Sequence, residues 1–261
     1  MHFEKGHDLL MVARGNGHYR SSGFDPVVYW WKFAPSWKSG GVGVGDGWQR
    51  GNRFRPASLA FPCSAQAKCG RWYPGLIVTQ HAGDGKANEY FLRGFNLDHG
   101  IDFATYVAGI PVNMPTHAHG QGYTDLNFLI PELVDRVRYR KGHYSADEGD
   151  FSSVGVARID YLRKVDGTLA QLTVGQNRYA RALFAGSPEV GAGNLLYAAE
   201  LFTNDGPWEV PENYRKLNGV LRYSQGTRDN GFSVSGMAYR GDWTSTDHVA
   251  KRAIDSGYIS R

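Results

Sequence analysis

Residues 90–142 begin with YFLRG (90–94) and continue through FATYVAGIPV (103–112), two apolar runs that each break at a glycine. Aromatic and aliphatic runs bounded by glycine predict short buried strands that end in turns. In the second run, Gly109 can adopt a left-handed backbone, and Pro111 lacks the N–H that a central strand donates. This stretch therefore predicts a hairpin at the edge of a sheet.

The pattern changes at Thr124. In LNFLI (126–130) the apolar side chains crowd one side of the chain, which predicts a short helical turn that Pro131 ends. A strand follows in DRVRYR (135–140), where Val137 and Tyr139 share one face. The three arginines occupy the opposite face, and such a row of guanidinium groups predicts carboxylates opposite it.

Six segments of the chain, in this order, resemble the plug domain of a TonB-dependent outer-membrane receptor. They are Pro74–Val78, Leu92–Asn96, Val107–Val112, Pro131–Val137, Arg140–Gly142 and Gly149–Ile159. The series is specific although each segment alone is not. The sequence departs from the pattern at Ala108, where many plugs carry an acidic residue, and at His143, where a proline is common.

The resemblance implies an α+β plug domain followed by antiparallel β-strands of an incomplete transmembrane β-barrel. It divides the chain into residues 1–73, interpreted as a disordered or non-native N-terminus, a plug at 74–160, and the first barrel strands at 161–261. The plug-motif residues carried over by the resemblance are Arg93, Gly94, Gly109, Pro111, Arg136, Arg140 and Gly142.

In function, the resemblance implies TonB-dependent uptake of a scarce solute such as an iron chelate, across the outer membrane of a Gram-negative bacterium. It implies the TonB energy-transducing complex, the solute and outer-membrane lipid as partners, with no cofactor, no nucleic acid and no enzyme activity. The start of the chain matches no signal peptide, because Leu9–Ala13 is too short an apolar run. We therefore expect a fragment that does not transport by itself.

The C-terminal part alternates as the strands of a barrel wall do. In Leu195–Leu201 the apolar residues share one face and Glu200 lies on the other, and 217–223 and 232–238 repeat the pattern. With 168–174 and 178–185 we expect about five or six strands. The smallest membrane barrels need about eight, so this chain is not expected to close one. A soluble β-rich binding module would alternate in the same way and stays open as an alternative.

Charge gives little support to nucleic-acid binding. Residues 1–73 hold 10 Lys and Arg against 4 Asp and Glu, whereas residues 74–261 hold 19 against 21. The glycine run at 40–47 lacks the G-x-G-x-x-G spacing of a nucleotide loop and is interpreted as a linker. Cys63 and Cys69 match no common zinc spacing; incidental thiols are favoured over a disulfide.

Four histidines, His81, His99, His117 and His119, are the candidate ligand-binding residues. His117 and His119 would point the same way in an extended chain and offer two imidazoles to one metal, while Asp98 and Asp102 add oxygen ligands. We favour the interpretation that these histidines are ordinary polar loop residues over the interpretation that they form a stable metal site. A receptor for a metal chelate would nevertheless present such residues on its plug loops, and a His-x-His metal hydrolase is a weaker alternative.

The arginines admit two interpretations. Arg93 and the row at Arg136, Arg138 and Arg140 could bind an anionic ligand. We favour pairing with acidic residues on the inner face of the barrel, because enclosed arginines tend to make bidentate carboxylate pairs.

Overall fold

The computed structural model describes residues 23–24, 28–35, 49–50, 73–80, 83–144, 146–227, 230–245 and 249–259. His81, both cysteines and the glycine run at 40–47 lie outside these residues. Three sheets and very short helices make up the described part. No helix in it is long and apolar enough to cross a membrane.

The strands, in chain order, are β1 (Gly23–Phe24), β2 (Val28–Pro35), β3 (Gln49–Arg50), β4 (Leu76–Thr79), β5 (Glu89–Leu92), β6 (Phe95–Asn96), β7 (Phe103–Val107), β8 (Ile110–Pro111), β9 (Val134–Lys141), β10 (Gly155–Tyr161), β11 (Leu169–Val174), β12 (Ala180–Gly186), β13 (Glu189–Val190), β14 (Gly193–Asn204), β15 (Tyr214–Gly226) and β16 (Gly231–Trp243). Two 3₁₀ helices span Pro131–Leu133 and Ala146–Glu148, and the helix α1 spans Lys251–Asp255.

Residues 73–161, called here the central unit, contain two of the sheets apart from β3, which adds to the edge of one of them. One has the order β4-β5-β6, and the other has the order β3-β9-β10-β7-β8, in which β7 and β10 are parallel. Ala108 and Gly109 form the turn between β7 and β8, both with positive φ (51° and 82°). Since β8 lies at the edge of its sheet, Pro111 removes no central hydrogen bond. The predicted edge hairpin is confirmed.

The predicted helical turn is wrong in its position. Residues 126–130 are buried and contain one hydrogen-bonded turn, in which the Leu129 N–H donates to the Leu126 carbonyl at 2.9 Å. The helical segment lies after it, because Pro131 begins a 3₁₀ helix and does not end a preceding one. Proline is favoured at a first helical position, because its missing N–H would have no partner there and its φ is already suitable. Leu129 and Ile130 are fully buried, so their crowding reflects packing and not helical periodicity.

Residues 169–243, called here the strand wall, join β1 in an antiparallel sheet with the order β1-β16-β15-β14-β12-β11. β2 pairs with β16 along Val28–Pro35, and β13 pairs with β14. Within the described part of the chain β11 is bonded to β12 alone, so the sheet stays open at that edge. This agrees with the expected fold class, a mixed unit followed by antiparallel strands of an incomplete barrel.

The two faces of the strand wall differ. Leu172, Leu201 and Leu217 point outward and are 75%, 57% and 55% exposed, whereas Glu200 on the opposite face is 1% exposed. The inward face contributes Leu183, Ala185, Leu196, Ala198, Val220, Met237 and Tyr239 to one core with Val107, Ile110, Leu129, Ile130 and Leu133 of the central unit. The alternation predicted from the sequence is confirmed, and its inward face packs against the central unit.

Candidate functional site

Two loops of the central unit carry the histidines. Asp98 and His99 follow β6 in a tight turn, where Asp98 has a φ of 46° and its N–H donates to the Asn96 side chain at 2.9 Å. The second loop runs from Met114 to Tyr123, and an antiparallel bridge between these two residues closes it. His117 and His119 lie in that closed loop. The two loops thereby bring His119 into contact with His99 and Asp98, which are 20 and 21 positions away in sequence.

Asp98, His99 and His119 form the candidate metal-binding cluster, called here the histidine cluster. One ligand atom from each of the three lies within 4.8 Å of the others. Asp98 Oδ1 is 3.6 Å from His99 Nε2, and Asp98 Oδ2 is 3.9 Å from His119 Nε2. The two imidazole rings meet edge to face with their centroids 4.5 Å apart. His119 and Asp98 are about two-fifths exposed, so the cluster opens to solvent on one side.

His99 is the buried member of the cluster, at 2% exposure. Its Nδ1 lies 3.2 Å from the carbonyl oxygen of Asn88. Because a carbonyl oxygen only accepts hydrogen bonds, Nδ1 donates in this contact, and Nε2 is the ring nitrogen that faces Asp98. A backbone partner that orients an imidazole in this way is typical of metal-ligating histidines.

His117 has a different environment from the one its spacing predicts. Its ring stacks on Tyr123 with centroids 3.9 Å apart, and its Nδ1 accepts the backbone N–H of His119 at 3.2 Å. Burial, together with the nearby imidazoles of His119 and His99, lowers the pKa of His117. The structure thus assembles His99 with His119, and not His117 with His119, around Asp98.

Asp102 is separate from this cluster, since its carboxylate accepts a hydrogen bond from the Ser153 hydroxyl at 2.8 Å. His81 lies outside the described residues. The assembled donor set is two imidazoles and one carboxylate. Such a set suits Zn²⁺, Cu²⁺ or Ni²⁺, and three protein ligands leave further coordination positions for water or a chelator.

A pair of carboxylates, Asp84 and Glu212, joins the neighbouring loop of the central unit to the strand wall. Glu212, in the connection between β14 and β15, accepts the backbone N–H of Asp84 at 2.6 Å. Asp84 in turn accepts the side-chain amide of Asn204 at 2.6 Å. A Cβ on Gly83 would meet Glu212 Oε1, and Gly83 has a φ of +63°, so a side chain there would be strained and would displace the Glu212 carboxylate.

The pKa of Glu212 is unusual. Burial and the adjacent Asp84 carboxylate raise the pKa to about 7, although the backbone N–H groups of Asp84 and Gly85 oppose the shift. Both carboxylates lie at the end of the strand wall beside the histidine loops. Ala87, in the same loop as Asp84, donates its N–H to the Tyr123 hydroxyl at 2.9 Å.

The arginine row of β9 finds carboxylates within the central unit. Asp160 on β10 accepts from Arg136 Nε at 2.9 Å and from Arg138 Nε at 3.2 Å. Glu148, 1% exposed, lies 3.6 Å from Arg140 and 2.7 Å from Arg158. The expectation that these arginines pair with the inner wall is therefore corrected, because Asp160 on the neighbouring β10 and Glu148 of the second 3₁₀ helix supply the acids within the central unit.

A charged contact does join the central unit to the strand wall, but there the wall supplies the arginine and the central unit supplies the carboxylate. The sequence analysis did not predict this contact. Arg181 on β12 makes a bidentate pair with Glu132 of the 3₁₀ helix, at 2.7 and 2.8 Å. Its Nε also donates to Glu200 at 2.5 Å, and Lys216 lies 3.0 Å from the other Glu200 oxygen. We call these four residues the interface ion network. A charged residue within an apolar run, such as Glu132 after LNFLI and Pro131, was the available sequence signal.

The predicted plug-motif residues lie at turns and strand ends. Arg93 and Gly94 form the β5–β6 turn with φ of 54° and 87°, and Gly142, directly after β9, has a φ of 86°. Glycine adopts these angles without the steric penalty of a side chain. Arg93 is exposed and the structure places it apart from the histidine cluster's ligand atoms.

Residues 68–156 match the family model described as the TonB-dependent receptor plug domain. Solved structures of similar fold include the copper transporter OprC, with 19% identity, coverage of 70% of this chain and 29% of that one, and a TM-score of 0.53. The FrpB iron transporter from Neisseria meningitidis (F3-3 variant) matches with 13% identity, coverage of 76% and 32%, and a TM-score of 0.56.

The ferric enterobactin receptor PfeA matches with 16% identity, coverage of 79% of this chain and 36% of that one, and a TM-score of 0.53. At sequence identities this low, the matches show that the fold is shared and nothing more. The chain spans about a third of the length of these three structures.

Proposed function

We propose, from the premise that this chain belongs to the TonB-dependent receptors, that it serves the uptake of a transition metal or a small metal chelate across the outer membrane of a Gram-negative bacterium. Asp98, His99 and His119 contact the metal, which is cargo and not a cofactor. The observation that carries this proposal is the convergence of three metal-ligating atoms within 4.8 Å on two loops of the plug.

The chemistry of the cluster supports a borderline metal as cargo. The contact of His99 Nδ1 with the Asn88 carbonyl leaves Nε2 as the nitrogen that faces Asp98 and would contact the metal. The lowered pKa of His117 keeps a neutral imidazole next to the cluster at neutral pH. Neutral imidazole is the form that binds metals. One of the similar structures is a copper transporter and another is an iron transporter, and both fit a metal-containing solute.

The position of the cluster supports access from outside the cell. The loop at residues 83–88 touches both the histidine loops and the nine-residue connection between β14 and β15, at Asp205–Asn213. The connection between β15 and β16 at the opposite end is only four residues, Thr227–Asn230. Outer-membrane proteins have longer loops outside and shorter turns in the periplasm. The histidine cluster therefore faces the exterior in this proposal.

The outward face of the strand wall faces lipid in the same proposal. Exposed leucines on β11, β14 and β15 would be costly in water, and contiguous apolar patches of this kind mark interfaces or membranes. The TonB complex is the energy source expected of the family, and release of the solute follows when the plug yields to its pull. The protein acts as a receptor, with no chemical conversion of the solute.

We further propose the division of the chain into residues 1–73, a plug at 74–160 and barrel strands at 161–261. The support is that β10, in a plug sheet, ends at Tyr161, and β11 begins the strand wall at Leu169. Three strands, β1 to β3, lie within residues 1–73 and pair with β16 and β9. The plug-motif residues Arg93, Gly94, Gly109, Pro111, Arg136, Arg140 and Gly142 shape turns and ion pairs within the plug.

The test is calorimetric titration of the chain, folded in a non-ionic detergent, with Cu²⁺, Zn²⁺ and Ni²⁺. We expect one metal per chain. His119→Ala should weaken binding by more than about tenfold. Substitution of a residue that only hydrogen bonds a metal ligand already lowers metal affinity by about tenfold or more. Asp98→Asn should weaken it similarly. Affinity should fall as the solution is acidified, because protonated imidazoles do not bind metals.

His143→Ala is the matched control. His143 is exposed, hydrogen bonds the Ser153 carbonyl and lies outside the cluster, so its variant should bind as the native chain does. His119 is exposed too, so its substitution should leave the fold intact. Equal affinity in the native chain and in the His119→Ala variant, or no binding at all, would overturn the assignment of these residues.

A further inference from the structure

The outward face of the strand wall carries a groove of about 500 Å³. Its floor is formed by small residues, Ala180 and Ala182 of β12, and its sides by Leu172, Leu201 and Leu217 of the flanking strands. The strand register places these side chains in one row, with Leu172 opposite Ala182, Ala182 opposite Leu201 and Leu201 opposite Leu217. Because alternate residues face the same side, the groove opens away from the central unit.

Three exposed arginines surround this groove at the end of the strand wall that bears the longer connections: Arg178, Arg215 and Arg240. Arg178 lies 3.5 Å from Asp205, and Arg240 lies 3.1 Å from Asp242. Arg215 is cross-strand from Asp242 and has no ion pair among the described residues. Asp242 is the one carboxylate among the lining residues, so the groove has a net positive charge.

The next rows of the outward face are apolar. Phe184 lies opposite Ala199, which lies opposite Gly219 and then Ala238, and Leu221 follows one row further. Phe184 and Leu221 are each 49% exposed. The surface thus presents a cationic rim directly beside a continuous apolar band.

We infer that this groove binds a phosphorylated lipid of the surrounding membrane, with its phosphate on the three arginines and its acyl chains along the apolar band. Guanidinium groups pair with phosphate in a bidentate geometry. The apolar walls favour a lipid over free phosphate, which would leave them in water. The inference rests on the proposed function, which places this face in lipid.

The experiment compares two vesicle compositions, phosphatidylcholine alone and phosphatidylcholine with a minority of fluorescent phosphatidic acid. The chain is folded into each, vesicle association is followed by flotation, and enrichment of the fluorescent lipid is followed by energy transfer from tryptophan. We expect phosphatidic acid to be enriched around the native chain. The triple variant Arg178→Gln, Arg215→Gln, Arg240→Gln should lower that enrichment by about tenfold or more.

Arg252→Gln, an exposed arginine on α1 outside the groove, is the matched control and should leave the enrichment unchanged. Equal enrichment in the triple variant and the native chain would overturn the lipid site. Loss of the enrichment on adding inorganic phosphate would show that the groove takes free phosphate and would overturn it as well. A chain that fails to float even with phosphatidylcholine vesicles would instead overturn the proposed membrane placement, on which the inference depends.

Discussion

Two clusters of charged residues join the plug to the strand wall, and they differ in how their charge is balanced. The interface ion network has two carboxylates, Glu132 and Glu200, and two cations, Arg181 and Lys216. The pair Asp84 and Glu212 accepts hydrogen bonds from neutral donors, namely backbone N–H groups and the Asn204 amide. The first contact is therefore a fixed ionic one, whereas the second is expected to depend on pH.

The difference follows from where the two clusters lie. Glu132 and Glu200 are buried between the plug and the strands, where an uncompensated charge is very costly. Asp84 and Glu212 lie at the end of the strands beside the histidine loops, where protonation of one carboxyl can relieve the repulsion. The ionic contact in the middle therefore holds the plug at any pH near neutral. The contact at the end that we propose receives the solute depends on the protonation of a carboxyl group.

The largest expected effect comes from Arg181→Met, which removes the cation shared by two buried carboxylates. Breaking a buried ion pair on one side costs about 3–5 kcal/mol. The free energy of unfolding of the chain in detergent, measured with urea and tryptophan fluorescence, should fall by that amount. Arg215→Met, on the exposed outward face, is the control and should change it by less than about 0.5 kcal/mol.

A double variant distinguishes charge from packing in this network. Glu132→Gln combined with Arg181→Met leaves Glu200 paired with Lys216 and restores neutrality. It should therefore be more stable than Arg181→Met alone. If the double variant is the less stable of the two, the network is not held by charge balance.

The second effect is a pH dependence at the loop pair. The pKa of Glu212 is raised from 4.5 to about 7, so the folded state binds a proton more tightly than the unfolded state does. Its contribution to stability is therefore present below about pH 4.5 and is lost as the pH rises through about 7. At about 1.4 kcal/mol per pKa unit, the loss is about 3.5 kcal/mol at most.

The measurement is the difference in unfolding free energy between the native chain and Glu212→Gln, followed from pH 4.5 to 8. That difference should vary with pH, because glutamine does not titrate. Glu209→Gln, an exposed carboxyl in the same connection, should run parallel to the native chain. A Glu212→Gln profile that also runs parallel to the native one would contradict the raised pKa.

The smallest effect is expected for Asn204→Ala, which removes one donor from Asp84. Loss of a single side-chain hydrogen bond costs about 1 kcal/mol. The same urea experiment measures it, with Asn230→Ala in the opposite, four-residue connection as the comparison. A loss as large as that of Arg181→Met would mean that the end contact, and not the buried network, dominates.

Much of the fold was predictable from local pattern. Glycine and proline punctuation predicted the hairpin at 103–112, and period-two alternation predicted the strands of the wall with Glu200 on its inner face. The helical turn before Pro131 was not predictable, because a buried irregular segment and a helix crowd apolar residues alike. The histidines were identified as candidates, but the sequence could not indicate that His99 lies beside His119, since these two meet only through the folding of two separate loops.

The sequence by itself determined the order of turns and strands, the apolar outward face and the resemblance to a plug, because these depend on the steric limits of glycine and proline and on alternation within single strands. Only the tertiary structure decided which charges meet. Glu132 and Arg181 are 49 positions apart, and Asp84 and Glu212 are 128 apart. Alternation assigns a face to Arg181 on β12 alone, since the other three residues lie in loops or in a 3₁₀ helix. The packing of the plug against the wall selects the partners, and no local pattern encodes that contact.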